Sequence, residues 1–135
     1  MDLTERRALL EMHNNADRKL DCLVTLSGHL PGGRAGGGSK RQAVCVRYVP
    51  DKLILEARSF GIYLEALAEI VWSNPEDLAV TVISDLNNEA VCRWMQVSVS
   101  VPELSHHAVD THDVMIEDRQ PGWDNPALLG RLERI

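Results

Sequence analysis

Histidines and a carboxylate crowd residues 105–113, SHHAVDTHD, where His106, His107, Asp110 and His112 are all of a type that binds zinc. Their spacing matches no established zinc site, so surface or interface histidines are expected and no metal is assigned. Residues 29–41, HLPGGRAGGGSKR, have enough glycine to wrap an anion with backbone N–H groups. They lack the Lys-Ser/Thr ending of a P-loop and do not open a helix, which leaves a flexible hairpin loop as the expectation. Cys22, Cys45 and Cys92 are an odd set without metal-type pairing. That favours reduced thiols in a cytosolic chain over a disulfide framework. Cys45 and Cys92 lie within or beside expected strands without a neighbouring activator, and are read as core.

The elements that must position these groups follow from periodicity. Thr4 and Glu5, followed by Leu9, Leu10 and Met12, predict a short amphipathic helix within residues 1–15 that ends near Asn14-Asn15. Residues 20–26, LDCLVTL, alternate with period two and predict a first strand with Leu20, Cys22, Val24 and Leu26 on one face. Val44, Val46 and Tyr48 alternate with Cys45, Arg47 and Val49 in a second strand, which Pro50-Asp51 closes with a turn. Leu64, Leu67, Ile70 and Val71 recur at helical spacing up to Ser73-Asn74. Asn74-Pro75-Glu76-Asp77 supplies an N-cap, a proline for the first helical position and two carboxylates for the first turn. A second helix therefore starts there and runs, on Leu78, Val82 and Leu86, to about Asn88. Met95, Val97, Val99 and Val101 opposite Trp94, Gln96, Ser98 and Ser100 predict a half-buried strand over 93–101, and residues 108–116 a fourth. The tail, residues 117–135, has turn signals and one short apolar run, and is expected to dock on a neighbouring subunit.

Hairpin, two helices, hairpin is the order of an α+β domain spanning 1–135, a four-stranded antiparallel sheet with both helices on one face. Its other face and its edges lack cover, which barrel closure through neighbouring subunits would resolve. At 135 residues and 44% hydrophobic the chain suits one domain with apolar surface left for a partner, so a homo-oligomer is expected. A net charge of -6 argues against nucleic acid as the partner and leaves a small molecule. The N-terminus alternates charged with apolar residues and lacks the long apolar core of a signal or membrane segment; a cytoplasmic location is expected.

Residues 46–64, VRYVPDKLILEARSFGIYL, resemble the cofactor-loop region of the 7-cyano-7-deazaguanine reductases, the nitrile reductases of queuosine biosynthesis. There Tyr-Ile-Pro-Asp is followed by Glu-Ser-Lys-Ser-hydrophobic-Lys-x-Tyr. The resemblance runs from about Asp21 to Asp110. It implies the tunnelling fold, shared with GTP cyclohydrolase I, whose oligomeric barrels bind purine and pterin rings at subunit interfaces. It also implies a cysteine thiolate that adds to the substrate nitrile, giving a thioimide that two hydrides from NADPH reduce to the amine. Cys22-Leu23-Val24-Thr25 is similar to the family's Cys-Pro-x-Thr motif with Leu in place of Pro, which makes Cys22 the nucleophile. His29 stands where the family has a general-acid Asp, and an imidazole with an ordinary pKa of about 6.5 suits that work. In a second register Val24-Thr25-Leu26-Ser27-Gly28 lies over the family strand Phe-Thr-Ser-Leu-Cys. Gly28 then takes the nucleophile's place, Cys22 falls inside the strand as a small apolar residue, and no thioimide forms.

Pro75-Glu76 matches the family's His-Glu pair. Glu76 would thus grip the guanine-like edge of a 7-deazaguanine through paired hydrogen bonds, or serve only to stabilise its helix N-terminus. Glu56, Arg58 and Ser59 hold the positions of Glu, Lys and Ser in the NADPH motif and Tyr63 that of its aromatic, while Ala57 replaces Ser and Gly61 the second Lys. Arg58 is a forked cation fit for phosphate, and a solvated helix start accounts for the same residues. The functions implied are a diverged NADPH-dependent nitrile reductase working through a Cys22 thioimide, or a tunnelling-fold protein without that chemistry. The latter would bind a purine-like or pterin-like ligand or perform a non-reductive step on it.

Overall fold

The Asp2 carboxylate accepts from the Glu5 N–H while the Glu5 carboxylate accepts from the Asp2 N–H, and this reciprocal box opens helix α1 (Leu3–Ala8). The helix is shorter than expected. Met12–Asn14 leaves it as an extended strand, β1, antiparallel to β4 (Leu53–Leu55), because the backbone finds partners there: Glu56 N donates to Glu11 O at 2.9 Å and Asn15 N to Lys52 O at 2.8 Å. The computed structural model describes residues 1–31, 42–102 and 105–132, so most of the expected Gly-rich loop lies outside the described residues.

The main sheet has four antiparallel strands in the order β2 (Val24–Leu30), β3 (Gln42–Val49), β5 (Trp94–Pro102) and β6 (Thr111–Arg119). With the two-stranded sheet and the four helices among the described residues it makes an α+β chain. Helix α2 (Ala57–Ala68) packs on β2, and α3 (Pro75–Ala90) on β5 and β6. The side chains between these layers are those the alternation marks: Val44, Val46 and Tyr48 from β3, Met95, Val97 and Val99 from β5. They are buried with Leu64 and Leu67 of α2 and Leu78, Val82 and Leu86 of α3. Each such side chain contributes about 1.5–3 kcal/mol through removal of apolar area from water. Gly28 lies where α2 approaches β2 closely, since a Cβ there would stand 2.8 Å from Leu64 Cδ1.

Four departures from the sequence pattern have local causes. Strand β2 begins at Val24, not Leu20; Leu20 and Cys22 are exposed ahead of it, because Arg93 holds the Leu20 carbonyl and the Asp21 carboxylate away from the ladder. Helix α2 ends at Ala68, with Trp72 Nε1 donating to Leu67 O and Val71 left exposed. Strand β6 starts at Thr111 because residues 106–109 form a turn, in which Val109 N donates to His106 O. Strand β5 is buried on both faces, not one, with Trp94 only 1% exposed and Gln96 and Ser98 each 9%. The tail returns onto its own chain at that end. Gln120 N donates to Arg93 O, Asn125 Nδ2 donates to Asp21 Oδ2, and a short helix, α4 (Pro126–Leu129), brings Leu132 beside Leu23. Among the described residues no helix is long and apolar enough to cross a membrane.

Candidate functional site

Asn74 caps α3 by accepting from Asp77 N at 2.8 Å and Pro75 occupies the first position, so the Glu76 carboxylate is set on the first turn, as the sequence pattern requires. Helix α3 and strand β6 run side by side in the same direction: Asn87 near the helix end donates to Asp118 near the strand end. At the other end His112 Nε2 lies 3.0 Å from Glu76 Oε1. The two side chains are 34% and 55% exposed, and an ion pair in that setting contributes about 0–1 kcal/mol. The pair is therefore an accessible polar group at the open end of the sheet and not a fold determinant. His106 and His107 stack on each other in the turn before β6, and among the described residues no three His, Cys, Asp or Glu side chains converge on a metal-sized site.

Cys22 is exposed two residues before β2, whose first residue, Val24, pairs with Tyr48 and through it with Met95. His112 pairs with Val101. Val101 is six steps along β5 from Met95, so at about 3.3 Å per residue Cys22 and Glu76 lie roughly 20 Å or more apart within one chain. His29 is also remote from Cys22: it lies five steps, about 17 Å, along the strand from Val24. It projects from the face opposite the helices and lines a cleft of about 280 Å³ at the β2 edge with Gly28, Gly61 and Glu65. Strand β2 occupies residues 24–30 with Gly28 inside it, and Cys22 is exposed ahead of the strand and not packed in the core. Cys92 is the buried thiol, its pKa pushed up to about 12 by burial and then by the Asp51 charge; Cys45 is half-buried on the outer face.

The first turn of α2 separates its three candidates. Ser59 is 2% exposed, accepting from Glu11 N at 3.0 Å and donating to Glu56 O at 2.9 Å, so its hydroxyl fastens β1 to the helix. Arg58 is exposed, and Glu56 is half-buried with His13 Nε2 at 3.8 Å. A cation at a helix N-terminus without an acidic partner suits an incoming anion.

Two polar clusters escaped the sequence reading. Asp85, fully buried in α3, accepts from Arg6, Arg7 and the Tyr63 hydroxyl. Arg93 gathers Asp21, Asp51 and two backbone carbonyls.

Two curated proteins from two strains of Acidithiobacillus ferrooxidans, each described as NADPH-dependent 7-cyano-7-deazaguanine reductase, are 30% identical to this chain over 94 residues. The relationship is distant. The match covers 65% of this chain, and it spans 60% of the length of either relative, less than two thirds. No family model matches the chain.

Proposed function

We propose that residues 1–135 form a single tunnelling-fold domain, diverged from the nitrile reductases, that holds a purine-like base of the 7-deazaguanine type through the Glu76 carboxylate. The observation that carries this reading is the exposed Glu76 carboxylate on the first turn of α3, with His112 Nε2 at 3.0 Å. The resembled reductases have a histidine just before this glutamate in sequence; here β6 supplies one across space. A carboxylate accepts two parallel N–H bonds from a guanine-like edge, each worth about 1.5–3 kcal/mol because the acceptor is charged. Neighbouring copies complete the barrel along the exposed edges β2 and β6, in a cytoplasmic homo-oligomer. NADPH, where it binds, sets a phosphate against Arg58 with Glu56 beside it.

Titration calorimetry with 7-cyano-7-deazaguanine tests this. Saturable binding is expected, weakened at least tenfold by Glu76→Gln, which keeps the helix but lacks the charge. Equal affinity in the variant would remove Glu76 from the site.

A second reading keeps the reductase chemistry, favoured by the exposure of Cys22. In that reading the Cys22 thiolate adds to the nitrile carbon and the nitrogen takes a proton from His29 of an adjoining subunit, giving a thioimide that carries the whole nitrile. Intact mass after incubation without NADPH then rises by the mass of the ligand in the native chain and not in Cys22→Ala. An unmodified native chain that still binds the base leaves the binding reading alone.

A further inference from the structure

A cleft of about 310 Å³ lies between the outer face of the main sheet and the returning tail, lined by Leu23, Thr25, Arg47, Arg131 and Leu132. We propose that this cleft binds a small organic phosphate, its dianion between the Arg47 and Arg131 guanidinium groups and its organic part against Leu23 and Leu132. The site is separate from the Glu76 end of the sheet, and the proposal does not rest on the base-binding reading.

Charge accounting points to an anion. The chain carries a net charge of -6, so acidic partners outnumber cations, and Arg6, Arg7, Arg18, Arg93 and Arg119 all form ion pairs. Among the described residues Arg47, Arg58 and Arg131 do not, nor do Lys19 and Lys52, and two of these three arginines face one cleft. Arg47 is half-buried at the centre of β3, where its Nη1 donates to a neutral amide, Gln96 Oε1, at 3.2 Å. The nearest acid in its cross-strand row is Glu117, one strand beyond Gln96. That carboxylate is already engaged, accepting from Trp94 Nε1 at 2.6 Å and from Arg119 at 3.1 Å. A half-buried guanidinium without a counter-ion is costly unless an anion completes it.

The donor set selects the class of anion. Two planar forks can each give a pair of parallel N–H bonds to phosphate oxygens, and the Thr25 hydroxyl adds a donor. The two leucines offer an apolar wall to whatever the phosphate is attached to. The volume sits at the low end of small-molecule sites, roughly 300 Å³, which suits a phosphate monoester and not a whole dinucleotide.

Phenyl phosphate, titrated calorimetrically into the full chain in chloride buffer of low ionic strength, decides the matter. The expected result is saturable binding with one site per chain, weakened at least tenfold by Arg131→Gln and by Arg47→Gln, and declining as salt is added. Arg131 is exposed on the tail, so Arg131→Gln keeps the fold and carries the test should Arg47→Gln unfold. Absence of saturable binding overturns the proposal, as does binding that Arg131→Gln leaves unchanged. Binding abolished by Arg58→Gln or Glu76→Gln instead places the anion at another site and overturns it too. Benzoate binding as tightly as phenyl phosphate would overturn the choice of phosphate.

Discussion

Replacing Asp85 by Asn should lower the unfolding free energy by about 3 kcal/mol, the lower end of the cost of breaking a buried ion pair. Asp85 has no exposed surface, yet its carboxylate accepts from Arg6 Nε at 2.6 Å, Arg7 Nε at 2.8 Å and Tyr63 Oη at 2.5 Å. An amide of the same shape removes the charge, offers one acceptor oxygen in place of two, and turns an N–H toward donors. The arginines retain 14% and 20% exposure, so water relieves part of the loss, which sets the lower figure. Acid should narrow the difference between the two proteins. Burial works to raise the Asp85 pKa, but the hydrogen bonds from Arg6, Tyr63 and Arg7 outweigh it and hold the folded value below the ordinary one. A group depressed in the folded state contributes stability above its unfolded pKa, about 3.9, and loses it as pH falls through the folded value. Urea unfolding at pH 7 and near pH 3, followed by circular dichroism, measures both effects. A pH 7 loss under 1 kcal/mol, or a gap that persists undiminished into acid, would show that the cluster does not act as a buried charge site.

Asp85 also marks where the sequence was readable and where it was not. It lies on the same helical stripe as Leu78, Val82 and Leu86, and an aspartate on an apolar face demands buried cations or hydroxyls. That demand was visible; its answer, Arg6 and Arg7 some 80 positions away, was not. Strand β3 and helix α3 were legible because alternation and the Asn-Pro-Glu-Asp start are written within each element. Strand β1 was not, since three residues cannot display a period and its pairing with Leu53–Leu55 is tertiary. The first strand misled for a related reason. Leu20 and Cys22 have the parity of Val24 and Leu26, and only the distant Arg93 takes them out of the ladder. For the candidate site, the chain alone placed Glu76 and exposed Arg58, but it could not pair Glu76 with a histidine 36 positions later. Nor could it say that most of the six residues between Cys22 and His29 would be drawn out along a strand, which sets the two groups apart within one chain.

The same distant arginine yields the second large effect. Arg93→Met should lower stability by about 2 kcal/mol and make the chain cut faster by trypsin after Arg18 or Lys19. The guanidinium is 15% exposed and bridges three segments: it donates to Asp21 Oδ1 at 2.8 Å and Leu20 O at 3.4 Å, to Asp51 Oδ1 at 3.3 Å, and to the Arg18 carbonyl. Asp21 in turn accepts from Asn125 of the tail, and Asp51 from Gln120. Burial acts to raise the Asp21 pKa, but the bonds from Asn125 and Arg93 outweigh it, so the carboxylate stays charged and depends on its cation. Methionine fills much of the same volume but leaves Asp21 without its cation, Asp51 with only Arg18 at 3.9 Å, and the 18–21 backbone without its tether. Their exposure, 22% and 23%, limits the penalty below that of a fully buried pair. Since the Arg18 carbonyl is itself held by Arg93, release of that bond frees the peptide that trypsin attacks, and the cleavage rate reports local opening separately from the global stability read by urea. Arg93→Lys separates charge from geometry: an ammonium restores one carboxylate contact but cannot span four acceptors, so it should recover part of the stability while leaving the 18–19 site labile. Full recovery of protease resistance by lysine would mean that charge alone, and not the forked donor set, holds the segment bearing Cys22 in place.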